Sequence, residues 1–319
     1  MIDTLPASGM LPASGPPPRS GLLPHLGLLR FSGPDAASFL QGQISNDTRR
    51  LETGSLVAAY SSPQGRVLAL LRLLPHSSGV MAILPREIVI PTLERLRKFV
   101  LRAKVRIEDV SDQFSVAGQH GAAALGRWGF APGAAPNLYV EHDGVGVTAA
   151  AGDRFWVVGA NLAAQGLAGE PADAAGVEAD WRLADIRTGS PQIYAATREM
   201  FVAQMLNLDL IDGISFTKGC YTGQEIIART QHLGRIKRRL FRLRLPAGTW
   251  AIGQSVQLSD GRGGRLTEVA VTGDAVEALA VLPIDGGAGD AGLGADPGAP
   301  ATAVQATELP LPYSWGRES

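Results

Sequence analysis

Cysteine is almost absent from this chain: Cys220 is the only one in 319 residues. One thiol excludes an internal disulfide and a zinc framework, and it cannot by itself supply the four cysteine ligands of an iron–sulfur cluster. Long hydrophobic runs are also missing, since no window approaches the ~18 uninterrupted apolar residues of a membrane span. The N-terminus has no basic stretch followed by an apolar core, so no export signal is expected. Nor is there an excess of one charge. Lys and Arg total 29 against 30 Asp and Glu, a formal net charge of −1, which excludes a polycation that binds nucleic acid by bulk charge. What remains is an ordinary globular composition, 45% hydrophobic and 18% charged. A cytoplasmic, monomeric protein without a membrane partner is the expectation.

The punctuation of the chain predicts its elements. Residues 1–20 are rich in Pro, Gly, Ser and Ala, repeat Leu-Pro-Ala-Ser-Gly, and read as disordered. Leu26–Phe31 reads as a strand, and Gly33-Pro34-Asp35 opens a short helix carrying Phe39 and Leu40. Leu56–Ser61, Arg66–Leu74 and Val80–Leu84 read as antiparallel strands between Pro/Gly/Ser turns. Leu93, Leu96, Phe99 and Val100 fall at helical spacing, ahead of a strand at Lys104–Val110. From Phe114 to about Gly176 the pattern reads strand–helix–strand, with Trp156-Val157-Val158 the clearest strand. Asp180–Arg187 follows as a helix stopped near Gly189 and Pro191. Beyond Arg238 the chain turns strand-rich, interrupted by a low-complexity loop at 286–302 before a final LPLPYS strand. The pattern is α+β with a trailing all-β module.

The lone cysteine lies in Lys218-Gly219-Cys220-Tyr221-Thr222-Gly223-Gln224-Glu225. Thr222 and Glu225 have the spacing of a capping box ahead of an apolar-periodic run at Ile226, Ile227 and Ala228. A thiol just before a helix N-terminus, with Lys218 nearby, is expected to be exposed and to favour the thiolate. Nucleophile, transient iron or cluster ligand, and redox-sensitive thiol all remain open roles, the last disfavoured by the lack of a resolving cysteine. Glu225 could act chemically or only close the capping box. Lys218 could be a solvated residue that tunes the thiol, and Gln224 and Tyr221 could line a pocket or pack. Gly219 and Gly223 read as positions of special backbone geometry or close approach.

Lys218–Glu225 resembles the signature of the YgfZ-type folate-binding proteins, relatives of the glycine cleavage T-protein, an aminomethyltransferase. Further blocks follow in the family's order: Phe39–Asp47, Gln64-Gly65-Arg66, Trp181 through Pro191, Asn207-Leu208 into Gly213–Phe216, and Leu309–Ser314. The resemblance implies a T-protein-like fold. Residues 21–240 would form two mixed α+β subdomains around a central channel, the second at roughly 112–180, and 241–319 a small C-terminal β-barrel. It also implies tetrahydrofolate or a related folate as cofactor, with Trp181 bordering the ring, an indole suited to stacking, though a core aromatic is the alternative. Asn46 and Asp47 could meet the pterin edge or form an ordinary turn. Arg66 could meet a carboxylate, and Leu26 stands near where the family has a second tryptophan. The family's role is support of iron–sulfur cluster assembly or repair in client enzymes, and indirectly tRNA methylthiolation.

Two departures bear on function. Val67-Leu68-Ala69-Leu70 stands where true T-proteins carry a pair of aspartates, one of them catalytic, so glycine-cleavage chemistry is not expected. Phe201-Val202-Ala203-Gln204 lacks the proline usual before the glutamine. A folate-dependent one-carbon transferase or demethylase is the enzyme-class alternative. A third reading is a protein or RNA interaction module, because Arg229–Arg244 holds seven basic residues and no acidic one. That run, and a second between Arg95 and Arg106, could receive an acidic partner or RNA, or could be solvated faces.

Overall fold

In the computed structural model, residues 19–121, 126–130, 134–169, 173–232, 236–284 and 302–314 are described. They form three sheets with few helices. Strand β4 (Val67–Leu74), apolar except for Arg72, is buried on both faces, as an interior strand must be. It lies in an antiparallel sheet ordered β3 (Leu56–Ser61), β4, β5 (Val80–Pro85), β2 (Leu26–Ser32) and β6 (Arg106–Asp109). A second antiparallel sheet runs β1 (Gly21–Leu22), β7 (Ser115–His120), β10 (Arg154–Gly159), β9 (Val145–Ala150) and β8 (Tyr139–His142). One hydrophobic core joins the two sheets: Leu26, Leu74 and Ile83 from the first meet Val116, Trp156 and Val158 from the second.

Much of the expected pattern is present, with instructive differences. From Phe114 the expected strand–helix–strand order is present, with residues 126–128 helical between β7 and β8, and the strands that follow, β8, β9 and β10, pair antiparallel. Asp143 and Gly144 both have positive φ (51° and 72°) and close a two-residue hairpin between His142 and Val145. This is the Asp-Gly turn whose twist matches paired strands. Helix α1 (Ala36–Gln41) is short, and α2 (Val89–Arg97) ends before Phe99, which is 39% exposed and not part of the helical face. α3 (Ala174–Thr188) starts earlier than expected and stops at Gly189, a left-handed C-cap. The Tyr313 hydroxyl donates to the Gly189 carbonyl at 2.8 Å, so the LPLPYS segment seals this helix end.

At the N-terminal edge, Arg19 and Ser20 are ordered, contrary to expectation. Arg19 pairs with Asp180, and Ser20 Oγ accepts from the His120 N–H. The rest of the expected disordered segment and nearly all of the 286–302 loop lie outside the described residues; Thr302 opens a strand. The third sheet runs β15 (Thr302–Val304), β12 (Ser255–Leu258), β13 (Gly263–Thr272), β14 (Ala275–Pro283), β11 (Arg238–Pro246) and β16 (Thr307–Leu309). Its two edge strands, β15 and β16, are separated only by Gln305 and Ala306, so the sheet is curled until its edges approach. Leu240, Ala270, Leu279 and Val281 from this sheet share a core with β3, β4 and the segment 193–227.

A buried ionic joint fixes α3 to the third sheet. Glu268, beside a bulge in β13, accepts from Arg182 Nη1 at 2.8 Å and from the Tyr194 hydroxyl at 2.6 Å. Burial pushes the Glu268 carboxyl up to about 7, although Arg182 and Tyr194 pull it down. The folded state therefore binds this proton more tightly than the unfolded chain. The group's contribution is complete below the ordinary carboxylate value and is lost as pH rises through about 7. Relative to Glu268→Gln, the wild type should lose on the order of 3 kcal/mol between pH 4 and pH 8. Urea unfolding at both pH values reads this difference, and parallel pH profiles for the two proteins would contradict it.

Candidate functional site

Three distant stretches of sequence converge on the cysteine loop. Lys218 is buried, not solvated, with its ammonium donating to the carbonyls of Gln41, Ile44 and Asn46 at 2.7, 2.8 and 2.7 Å. Those carbonyls cluster where α1 ends, where a helix leaves acceptors without intrahelical donors. The ammonium also lies 4.9 Å from the centre of the Tyr221 ring, which is itself buried. Burial pushes Lys218 down to about 8, with Asp47 opposing, so at neutral pH it remains mostly an ammonium. The expected role of tuning the thiol gives way to a clamp. Its three N–H donors are committed to backbone.

The turn between β3 and β4 supplies the second contact. Gly65 and Gly223 both have positive φ (71° and 84°). A Cβ on Gly223 would come 2.7 Å from the Ser62 carbonyl and 3.2 Å from the Gly65 Cα. Backbone therefore meets backbone at Gly223, while a Cβ on Gly65 would come 2.8 Å from the Ile226 Cβ on the helix that follows. Gly219 differs from the expectation, since a side chain there would meet nothing. The Thr222 N–H donates to the Gly42 carbonyl at 3.2 Å. Buried Gln204, from the third stretch, donates to the Ile227 carbonyl at 2.7 Å and holds the helix that follows.

That helix, α4 (Gln224–His232), begins later than the capping box requires. Among the described residues no hydrogen bond joins Thr222 to Glu225. Instead Gln224 Oε1 accepts from the Tyr221 N–H at 3.3 Å, a side-chain contact one residue ahead of the expected Thr222–Glu225 pair. Glu225 is exposed in the first turn, and Cys220 is exposed on the loop ahead of it. The result is an accessible sulfur on a loop whose base is fixed. Chemically it can attack an electrophile, bind a soft metal or exchange with another thiol. Among the described residues no three His, Cys, Asp or Glu side chains gather as a metal site.

The chain is similar to curated proteins named tRNA-modifying protein YgfZ from several bacteria. It is 32% identical over 219 residues to the tRNA-modifying protein YgfZ of Colwellia psychrerythraea, covering 67% of each chain. The corresponding protein of Escherichia coli strain SE11 is 32% identical over 258 residues, covering 74% of this chain and 75% of that one. This chain belongs to the YgfZ family. No protein-family model matches it. Among solved structures, the glycine cleavage system aminomethyltransferase T of Bartonella henselae aligns with TM-score 0.58 at 14% identity, over 84% of this chain and 79% of that one. The YgfZ-family chain thus has the α+β, aminomethyltransferase-like fold. No helix among the described residues is long and apolar enough to cross a membrane.

The residues expected to hold the cofactor fare unevenly. Trp181 is fully buried on α3, against Gly118, with the Trp156 ring 4.4 Å away and the Arg154 guanidinium 4.6 Å from its centre. No open indole face remains for stacking. Leu26 is buried in the same core. Asn46 donates to the Val57 and Asp212 carbonyls and accepts from the Asp47 N–H, so its amide holds loops together. Asp47 caps the 3-10 turn Thr48–Glu52, and the Arg49 side chain holds its carboxyl down at about 2. Arg66 donates to the Met200 carbonyl at 3.0 Å.

Part of the basic run Arg229–Arg244 is paired with acids. Arg239 is buried against Asp209, Arg242 and Arg187 share Glu277, and Arg244 reaches Asp274. The acids arrive from other strands and turns, which a linear reading of the run does not reveal; Arg235 lies outside the described residues. The clamp is the stronger determinant of the site. Lys218→Met should cost about 2–4 kcal/mol, because three carbonyls lose a charged donor. Cys220→Ala should cost less than about 0.5 kcal/mol at its exposed position. Urea denaturation compares them, and a Lys218→Met protein as stable as wild type would remove the clamp from this account.

Proposed function

We propose that the chain is a folate-binding accessory protein that supports iron–sulfur cluster assembly or repair in client enzymes, and through them tRNA modification. The observation that carries this reading is the exposed Cys220 on a loop anchored by the buried Lys218 ammonium. A thiol presented this way suits a visiting protein, and a single thiolate leaves further cluster ligands to the partner. The names of the YgfZ relatives support the link to tRNA modification. Action in the cytoplasm belongs to the same reading.

A folate is compatible with the region between the first two sheets. The indole N–H groups of Trp156 and Trp181 are buried there without acceptors, and a pterin carries carbonyl and ring-nitrogen acceptors to satisfy such donors. When bound, the folate would supply one-carbon carrier chemistry. Asn46, Asp47 and Leu26 serve the fold in this reading, and the tryptophan pair replaces them as the candidate contacts. One-carbon transfer of the glycine-cleavage type is disfavoured because Val67–Leu70 is buried and carries no carboxylate.

Cys220→Ala should reduce the protein's support of tRNA methylthiolation at least about tenfold while leaving its unfolding profile unchanged. The assay is modified-nucleoside content in cells whose only copy is the variant. Full modification in the Cys220→Ala strain would exclude the thiol from the function. Separately, tetrahydrofolate should alter tryptophan emission of the purified chain; an unchanged spectrum, together with no heat of binding, would exclude the folate.

A further inference from the structure

A buried positive charge without its own counter-ion lies where the first two sheets meet. Arg72 is the only charged residue of β4. Strand alternation puts it on the same face as Leu70 and Leu74. Leu70 belongs to the core shared with the cysteine loop's neighbours, and Leu74 to the core of Trp156 and Trp181. The Arg72 guanidinium lies over the Trp156 ring, 5.3 Å from its centre. Its one hydrogen-bond partner among the described residues is Asn137 Oδ1 at 3.4 Å, a long contact. Its Nε is buried with no acceptor.

The surrounding charges do not neutralise it. Asp185 acts on Arg72 from a distance, and that carboxylate is already paired with Arg154 at 2.8 Å in the same interior. Burial pushes Arg72 down to about 10, with Asp185 opposing and Arg154 adding to the fall. His120, packed edge-on to Trp181, is pushed down to about 4 by burial and then by Arg154, so it is neutral at physiological pH. Two guanidinium groups and one carboxylate leave a net positive charge.

Three of the unmet hydrogen bonds in this interior have the same sense, while His120 Nε2, also buried without a partner, can donate or accept. Arg72 Nε, Trp156 Nε1 and Trp181 Nε1 are buried donors without acceptors, and none of these groups can accept in return. Donors without acceptors in a net positive interior are the complement of an anion with several lone pairs. Arg72 nevertheless keeps part of its surface accessible, although protein surrounds it closely enough to lower its pKa. Solvent reaches part of it.

We propose that Arg72 anchors the carboxylate of a small organic anion that enters between the two sheets beside Trp156. The inference deepens the folate reading, under which the carboxylate is that of the glutamyl tail. The same anchor would take any small carboxylate of similar size, and this distinction is built into the test.

The full-length wild type, Arg72→Gln and Arg72→Lys are titrated by calorimetry and tryptophan emission with tetrahydrofolate, with 6-methyltetrahydropterin, which lacks the glutamyl group, and with glutarate. Wild type should bind tetrahydrofolate at least about tenfold more tightly than the pterin. Arg72→Gln should weaken tetrahydrofolate about 10- to 100-fold and leave pterin affinity unchanged. Arg72→Lys should fall between, since it keeps the charge and loses the planar fork; it carries the comparison if circular dichroism shows Arg72→Gln unfolded. Glutarate binding to wild type but not to Arg72→Gln, with no tetrahydrofolate binding, would sustain the anchor and remove the folate. Equal tetrahydrofolate affinity across the folded variants, or no binding of either tetrahydrofolate or glutarate to wild type, would overturn the proposal.

Discussion

The site depends on one buried ammonium. Lys218 Nζ gathers the carbonyls of Gln41, Ile44 and Asn46, and so ties the cysteine loop to the end of α1. Burying a lysine is unfavourable unless its donors are all met, and here three backbone acceptors meet them at ordinary hydrogen-bond distances. The consequence is directional. With the lysine side chain turned inward, the two residues that follow turn outward, and Cys220 is left exposed. An exposed thiol on a mobile loop would present itself in many orientations. This one is fixed at its base by the clamp, by the Gly65–Gly223 contact and by the bond from Gln204 to the helix behind it.

How much of this was legible in the sequence depends on whether the signal was local. The strands of the first sheet and the β10 strand were legible because apolar runs between turn residues are local. The cysteine octet was legible as a unit, and its exposure followed from polar, glycine-rich neighbours. Lys218 was misread because its partners stand more than 170 residues away, and backbone carbonyls leave no trace in a sequence. The hairpin at Asp143-Gly144 was legible in principle, since Asp-Gly between alternating apolar residues is a turn signal, but dense Gly and Ala in that region masked it. The capping box shows the opposite fault. Its residues have the right spacing, yet Gln224 meets the Tyr221 N–H instead, because the glycine contact at Gly223 dictates how the chain enters the helix.

The charges follow the same logic. A run of arginines looks like a basic surface when read along the chain, but β11 is flanked in space by β14 and by the Asn207–Asp212 turn. Glu277 answers Arg242 and Arg187, and Asp209 answers Arg239. Three of the seven basic residues of that run, Arg239, Arg242 and Arg244, are therefore engaged by acids of the fold. Breaking such a buried pair from one side typically costs about 3–5 kcal/mol, so charge reversal at Arg239 would report on folding before it reported on any partner.

Arg72 is the contrasting case. One charge within an otherwise apolar strand is easily passed over in a sequence, yet it is where the neutralisation seen at β11 is incomplete. Evolution could place a leucine there and lose nothing visible in the packing of β4. A cation kept at such a position, above a tryptophan whose own N–H lacks an acceptor, needs a reason outside the empty fold. The cysteine loop and the arginine thus stand on two different surfaces of the molecule. The thiol is exposed to solvent, and the guanidinium is turned inward over the Trp156 ring. Because β4 carries Arg72 and the turn preceding that strand contacts Gly223, one rigid strand links the two. A shift of β4 at Arg72 would reach the loop through packed backbone, because the strand and its preceding turn run directly to the Gly65–Gly223 contact.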